Sequence, residues 1–305
     1  MLEGLLTEQA NPASAGIDAK STIEILRIMN EEDQKVAAAV AAEIPRIAQA
    51  VDAIVVALEQ GGRLFYLGAG TSGRLGVLDA SECAPTFGVP AETVQGIIAG
   101  GERALWASAE ACEDDPAAGA ADLRARGFTA RDVLCGIAAS GRTPYVLGAV
   151  AAARILGAVT IGISCTPESE LSRCVDIPIA PLTGPEVVAG STRLKAGTAT
   201  KLVLNMLTTA AFIRRGYVFG NLMVNVQPRN AKLIDRARRI VAAAVPASPE
   251  QAGRLLEAAS LDVRVAVVMG RTGLSREAAA ALLERAGGRV SAALAEYRRR
   301  ETPPA

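Results

Sequence analysis

The sequence predicts an α/β protein built on a mostly parallel five-stranded sheet flanked by helices, with a helical N-terminal extension and a small all-helical C-terminal domain. Three observations carry that prediction. Five short apolar runs recur between residues 63 and 181, and the first four end in Gly, Ser or Thr loops that lead into helical patterns. Strands alternating with helices imply βαβ units and a parallel sheet. Half of the 305 residues are hydrophobic and only 3% are aromatic, which suits a closely packed fold and argues against disorder.

The elements follow in order. A lead-in precedes a helix in which Ser21 and Glu24 form a capping box ahead of "TIEILRIM". A long amphipathic stretch over 36–60 ends at Gly61 and Gly62. "RLFYLG" (63–68) opens onto "AGTSGRLG", and "TVQGIIAG" (93–100) onto "GERALWASAEACEDD". "DVLCGIAAS" (132–140) opens onto "GRTPYVLGAVAAARILG", "AVTIGISC" (158–165) onto "TPESELS", and "VDIPIAP" (175–181) closes the series. Residues 190–216 read as one long buried helix. Pro246 and Pro249 break the pattern. Three short helices are expected beyond them, with Ser248 and Ser275 as N-caps and Gly287 and Gly288 as a stop. The expected division is a sheet-bearing domain over 1–245, a helical domain over 246–300 and a tail over 301–305.

Lys plus Arg and Asp plus Glu number 32 each, so no global field draws the chain to nucleic acid or an anionic membrane. The basic run at 298–300 reads as a solvated tail. Five cysteines (Cys83, Cys112, Cys135, Cys165 and Cys174) are odd in number and lack a C-x-x-C spacing, the pattern of reduced thiols. The N-terminus shows no signal-peptide pattern, and no apolar run reaches the ~18 residues that span a bilayer. A cytoplasmic protein is expected. The chain has no histidine. Proton transfer therefore falls to carboxylates, Lys, Tyr or Cys, imidazole-based zinc chemistry is excluded, and a thiolate nucleophile would lack its usual base. No metal and no cofactor are expected.

Gly68, Gly70 and Gly73 have the G-x-G-x-x-G spacing of a dinucleotide site. Ligands of open α/β sheets bind where strands end and helix N-termini present free N–H groups. Two loops meet that description and carry hydroxyls: Gly70, Thr71, Ser72 and Gly73, then Ser140, Gly141, Arg142 and Thr143. Turn N–H groups, short O–H donors and a helix dipole suit a phosphate monoester. A dinucleotide also needs an acidic residue after the second strand, and Glu102 comes too late for it. Two such loops favour a phosphosugar over a nucleotide, with tight capped turns as the plainer alternative.

"GAGTSGRLGVLDASECAPTFG", "GIAASGRTPYV", "GSTRLKAGTATKLVLNMLTT" and "VFGNLMVNV" resemble the N-acetylmuramic acid 6-phosphate etherases of the sugar isomerase (SIS) superfamily. "TEQANPASAGIDAKST" resembles that family's N-terminus, so the resemblance runs over nearly the whole chain. It implies an SIS-type sheet, a phosphorylated amino sugar as substrate and no redox cofactor. It also implies cleavage of the D-lactyl ether at C3, giving D-lactate and N-acetylglucosamine 6-phosphate in cell-wall sugar recycling. The open-chain aldehyde acidifies the C2 proton, a base removes it, an acid protonates the departing lactate oxygen, and water adds at C3. Glucokinase regulatory proteins share the SIS core as non-catalytic phosphosugar binders. A silent phosphosugar sensor and an aldose–ketose isomerase are therefore the competing functions, and a nicotinamide dehydrogenase is a third.

By the same resemblance Glu82, in "DASEC", and Glu113, in "EACEDD", fall at the catalytic glutamates, with Glu113 as C2 base and Glu82 as acid. One carboxyl must then be protonated near neutral pH, as burial, its partner and the substrate phosphate would favour. Alone, Glu82 also reads as a solvated helix end and Glu113 as part of an exposed acidic run. A continuous helix over 73–83 would place Glu82 ~14 Å from the phosphate loop, about three times the span from phosphorus to C2 and C3. Either the helix breaks near Gly76, or Glu82 serves a site whose phosphate is held by other loops or another subunit. A homodimer with its site near the interface is therefore expected. Ser191 and Lys195 are candidates for the phosphate or the lactyl carboxylate, or equally for a helix-start cap and a subunit contact, and Arg142 for an anion or its own loop. Cys83 and Cys112, beside the glutamates, read as small buried hydrophobes.

Overall fold

The computed structural model describes residues 6–107, 112–228 and 230–301. The chain forms two compact units, Met1–Glu82 with Ala91–Thr209 and Cys83–Pro90 with Ala210–Ala305.

The first unit begins with short 3-10 turns and two helices, α1 (Thr22–Ala42) and α2 (Ile44–Glu59). The Glu24 carboxylate accepts the Ser21 backbone N–H at 2.9 Å and the Ser21 side chain accepts the Glu24 N–H, the expected capping box. The amphipathic stretch over 36–60 is not one helix: α1 runs through its first part and the chain breaks at Glu43. Pro45 is the cause, because it has no N–H to continue the ladder from α1 but fits the first turn of α2.

The sheet lies between helices. In chain order come β1 (Leu64–Gly68), α3 (Gly70–Phe87), β2 (Val94–Ile98), α4 (Pro116–Ala125), β3 (Val133–Ile137), α5 (Pro144–Ile155), β4 (Val159–Ile163), α6 (Glu170–Cys174) and β5 (Ile177–Ile179). All five strands fall inside the expected runs, and all pairings are parallel in the order β2-β1-β3-β4-β5. Every residue of β1 and β3 is buried, as a parallel sheet covered on both faces requires. The connections reverse direction between β1 and β3, which opens a crevice at their carboxyl ends.

α3 is continuous from Gly70 to Phe87, so there is no break near Gly76. Gly76 instead lets helix and strand close up, since a Cβ there would lie 2.9 Å from Tyr66 Cβ. α7 (Lys195–Arg214) starts five residues later than the apolar pattern suggested. It is buried along Val203, Leu204 and Leu207 but leaves Met206 39% exposed, so only part of its surface is core. The buried Asp79 ties β1, α3 and α7 together. It accepts Asn205 Nδ2 at 2.6 Å and the hydroxyls of Tyr66 and Thr208 at 3.0 Å each.

The second unit contains a two-stranded antiparallel ribbon, β6 (Val218–Phe219) and β7 (Leu222–Met223), then α8 (Ala231–Ala244), α9 (Pro249–Ala258), α10 (Val263–Thr272), α11 (Arg276–Arg285) and α12 (Val290–Glu301). Val241, Leu256, Val267, Val268, Leu282 and Ala293 belong to its buried core. Ser248 and Ser275 accept backbone N–H groups of Gln251 and Ala278 at 3.3 Å each, as N-caps should. Four helices follow Pro246, not the three expected. The extra start is Asp262, whose carboxylate accepts the N–H groups of Arg264 at 2.9 Å and Val265 at 3.2 Å. Its turn uses Ser260 and Leu261 at φ 53° and 65°, so neither Gly nor Pro marks it.

Candidate active site

Three pieces of the first unit meet at the crevice between β1 and β3. The first is the turn into α3. Gly70 opens the helix at φ 51°, Thr71 and Ser72 are half-buried, and Gly73 is buried. The first N–H groups of α3 have no partners within the helix, and the dipole makes that end attractive to an anion.

The second piece is the loop after β3. The Gly141 N–H returns to Ala138 O at 2.8 Å, and the Leu171 N–H closes on Gly141 O at 2.9 Å. Gly141 is left-handed at φ 66°. A Cβ there would sit 2.2 Å from Ser169 Cβ, so only glycine lets the loop lie on the start of α6. Ser169 in turn donates to Ser164 Oγ at 3.1 Å and pairs with Ser172 Oγ at 2.9 Å. Ser140 and Thr143 are half-buried, while Arg142 is exposed with its N–H on Ser140 Oγ at 3.4 Å.

Glu113 joins the two loops. Its backbone carbonyl accepts the Tyr145 N–H at 3.0 Å, two residues past Thr143. Its side chain reaches the other way, where a Cβ placed on Gly70 would lie 3.3 Å from Glu113 Oε1. Downstream, Asp115 caps α4 by accepting the N–H groups of Ala117 and Ala118 at 2.8 and 3.1 Å. α4 packs so tightly on α5 that a Cβ on Gly119 would meet Tyr145 O at 1.9 Å. Glu113 is thus a carboxylate stationed over a helix N-terminus by rigid neighbours.

Glu82 is elsewhere. It is exposed on α3, ~18 Å along the axis from Gly70 at about 1.5 Å per residue. The two glutamates do not meet within one chain. Ser191 is half-buried in the turn before α7. Lys195 is 1% exposed and its Nζ lies 2.5 Å from Glu32 Oε2. Cys83 is buried, whereas Cys112 is only half-buried. Burial pushes the thiols of Cys135 and Cys165 up, the latter to about 12, so both stay protonated. Among the described residues no group of three or more His, Cys, Asp or Glu is placed to hold a metal ion, and no helix is long and apolar enough to cross a membrane.

Three residues of this neighbourhood were missed by sequence reasoning: Glu32, Glu186 and Tyr145. Glu186 left a signal, a lone acid in the apolar and glycine-rich "LTGPEVVAGS" ahead of a helix. Glu32 and Tyr145 left none, because they act through contacts distant in sequence.

Comparison with known proteins decides the family. An N-acetylmuramic acid 6-phosphate etherase of Vibrio vulnificus (strain YJ016) is 54% identical over 293 residues, covering 96% of this chain and 98% of that one. Its counterpart from Photorhabdus laumondii is 51% identical over 297 residues, covering 97% and 99%. This chain belongs to the N-acetylmuramic acid 6-phosphate etherase family. Family members under that name are carbon–oxygen lyases. Residues 46–154, which run from α2 to α5, match the model described as the glucokinase regulatory protein N-terminal SIS domain. A phosphoheptose isomerase from Neisseria gonorrhoeae superposes with TM-score 0.48 at 18% identity, covering 63% of this chain and 98% of its own.

Proposed function

We propose that this chain cleaves the D-lactyl ether of N-acetylmuramic acid 6-phosphate by elimination and hydration, with Glu113 as C2 base and Glu82 as the acid that protonates lactate. The observation that carries this reading is the place of Glu113, against Gly70 and between two hydroxyl-bearing anion loops. The phosphate sits on the α3 N-terminus and the loop of Ser140, Gly141, Arg142 and Thr143. There the C2 proton of the opened sugar comes within reach of the Glu113 carboxylate. Removal of that proton gives an enolate, and the C3–O bond breaks as lactate takes a proton from Glu82. Water then adds at C3. The steps exchange protons only, so no electron acceptor is needed.

Glu82 lies too far along α3 to serve the same chain's crevice. We assign it to the crevice of a second copy, which makes the functional unit a homodimer with shared sites. Leu78, one turn before Glu82 on the same helix face and 50% exposed, fits a face covered by that copy. Five cysteines with no disulfide among the described residues suit a cytoplasmic setting.

The test is to incubate the purified protein with N-acetylmuramic acid 6-phosphate and measure free D-lactate. Lactate release supports the reading. Binding of the phosphosugar without lactate moves the function to the silent sensor that the SIS match of residues 46–154 favours. A ketose product moves it to an isomerase, and an absorbance change with a nicotinamide cofactor to a dehydrogenase.

A further inference from the structure

The start of α7 is held by a buried ionic cluster that none of the proton transfers uses. Glu186 is fully buried, and its two carboxylate oxygens accept the backbone N–H groups of Lys195 and Ala196 at 2.9 Å each. The Lys195 side chain turns to Glu32, with the two side chains 1% and 5% exposed. Glu32 also accepts Asn11 Nδ2 at 2.9 Å and the ammonium of Lys35. The same Asn11 amide donates to Pro185 O at 2.9 Å, one residue before Glu186. Nearby, the Gly190 N–H donates to Thr7 O at 3.0 Å. The lead-in segment, α1, the turn before α7 and α7 itself are therefore joined at one point.

This point adjoins the anion loop. A Cβ placed on Gly197, in the first turn of α7, would lie 3.5 Å from Thr71 Cγ2. Both Glu186 carboxylate oxygens already accept the N–H groups of Lys195 and Ala196, so those two donors are not open to an anion. The Lys195 ammonium is likewise neutralised by Glu32. A buried pair of this kind contributes little net stability against an apolar pair of equal shape, but losing one partner leaves an uncompensated charge. What it supplies is placement.

We propose that Lys195 is a positioning residue. With Glu32, Glu186 and Asn11 it holds Ser191 and the first turn of α7 against the loop of Gly70, Thr71, Ser72 and Gly73, and it does not touch the substrate. The inference rests on the ether-cleavage reading above and replaces the substrate contact that the sequence suggested for Lys195.

The experiment compares wild type, Lys195→Met, the double variant Glu32→Gln/Lys195→Met and Asn11→Ala in D-lactate release and in equilibrium binding of N-acetylmuramic acid 6-phosphate. The lone Lys195→Met change leaves the buried Glu32 charge with only the exposed Lys35 as its cation and should raise KM and the phosphosugar Kd by about tenfold or more through displaced loops. The double variant removes both charges and should return both constants to within about twofold of wild type. Asn11→Ala, which keeps the charges, should raise KM by about threefold. Because a residue that binds the substrate cannot be replaced by deleting its distant partner, a double variant as weak as the single one overturns the proposal. So does a Lys195→Met or Asn11→Ala protein with lowered Tm and unchanged KM. If Lys195→Met does not fold, the double variant and Asn11→Ala decide alone. A wild type that releases no lactate sinks the functional reading instead, whereas the binding constants still judge the placement.

Discussion

At the carboxyl ends of β1 and β3, Glu113 is enclosed by its own chain: Tyr145 holds its carbonyl, Asp115 and α4 fix the backbone downstream, and Gly70 receives its carboxylate. About three turns up α3, Glu82 stands exposed beside the exposed Leu78. One carboxylate is therefore placed by the fold of a single chain, while the other waits on a surface. In the first region the structure sets a carboxylate between two hydroxyl-bearing loops of one chain. In the second it leaves a carboxylate exposed on a helix. Under the proposed function, binding and proton abstraction then belong to the protomer and protonation of the leaving group to a pair of chains.

The largest expected effects separate the two glutamates. Glu113→Gln and Glu82→Gln should each lower D-lactate release by about a thousandfold, the range for loss of a positioned acid or base. Solvent-hydrogen exchange at C2 should survive in Glu82→Gln and vanish in Glu113→Gln, as followed by mass change of the substrate in heavy water. Exchange lost in Glu82→Gln but kept in Glu113→Gln would reverse the two roles.

Leu78→Arg sharpens the comparison from the other side. It places a charge on the helix face that carries Glu82, so sedimentation should show a single folded chain. Activity should then fall by about a hundredfold or more, because each crevice loses the acid of its neighbour. A dimer that persists with full activity would move the interface off this face.

Gly141→Ala probes the complete region. The added Cβ meets Ser169 Cβ at 2.2 Å in a left-handed turn, so thermal unfolding should show a loss of about 1–3 kcal/mol. KM should rise more than kcat falls if, as proposed, the loop binds the anion and carries no proton.

A separate effect, confined to low pH, is on acid stability. Burial raises the Glu32 carboxyl, but hydrogen bonds from Lys195, Lys35 and Asn11 outweigh it and hold the group at about 2 instead of 4.5. A carboxyl depressed in the folded state stabilises the fold fully above its unfolded value and loses that contribution as pH falls through its folded one. Wild type should thus lose on the order of 3 kcal/mol between pH 4.5 and 2 through this group. Glu32→Gln should lack that part of the slope in acid denaturation.

Much of this was legible in the residues. The five strands, the two hydroxyl loops and the N-caps at Ser248 and Ser275 are written in local patterns, because apolar runs and small polar loop residues act within a few positions. The distance problem of Glu82 was also legible, since helix rise alone sets it, and the close packing of Gly76 on Tyr66 removed the easier solution. Other features depended on partners far along the chain. Pro45 divides a stretch that reads as one amphipathic helix, and the turn through Ser260 and Leu261 carries no breaker. Lys195 reads as an available cation until Glu32, 163 residues away, is seen beside it.

The most direct test of the shared site mixes inactive chains. Glu82→Gln and Glu113→Gln proteins are unfolded or dissociated together, reassembled in equal amounts, and assayed for D-lactate. In a two-fold symmetric dimer with shared crevices, each mixed pair has one crevice with both native carboxyls, so activity should return to about a quarter of wild type. Mixed dimers that form but stay inactive would contradict the account and place both glutamates in the service of one chain.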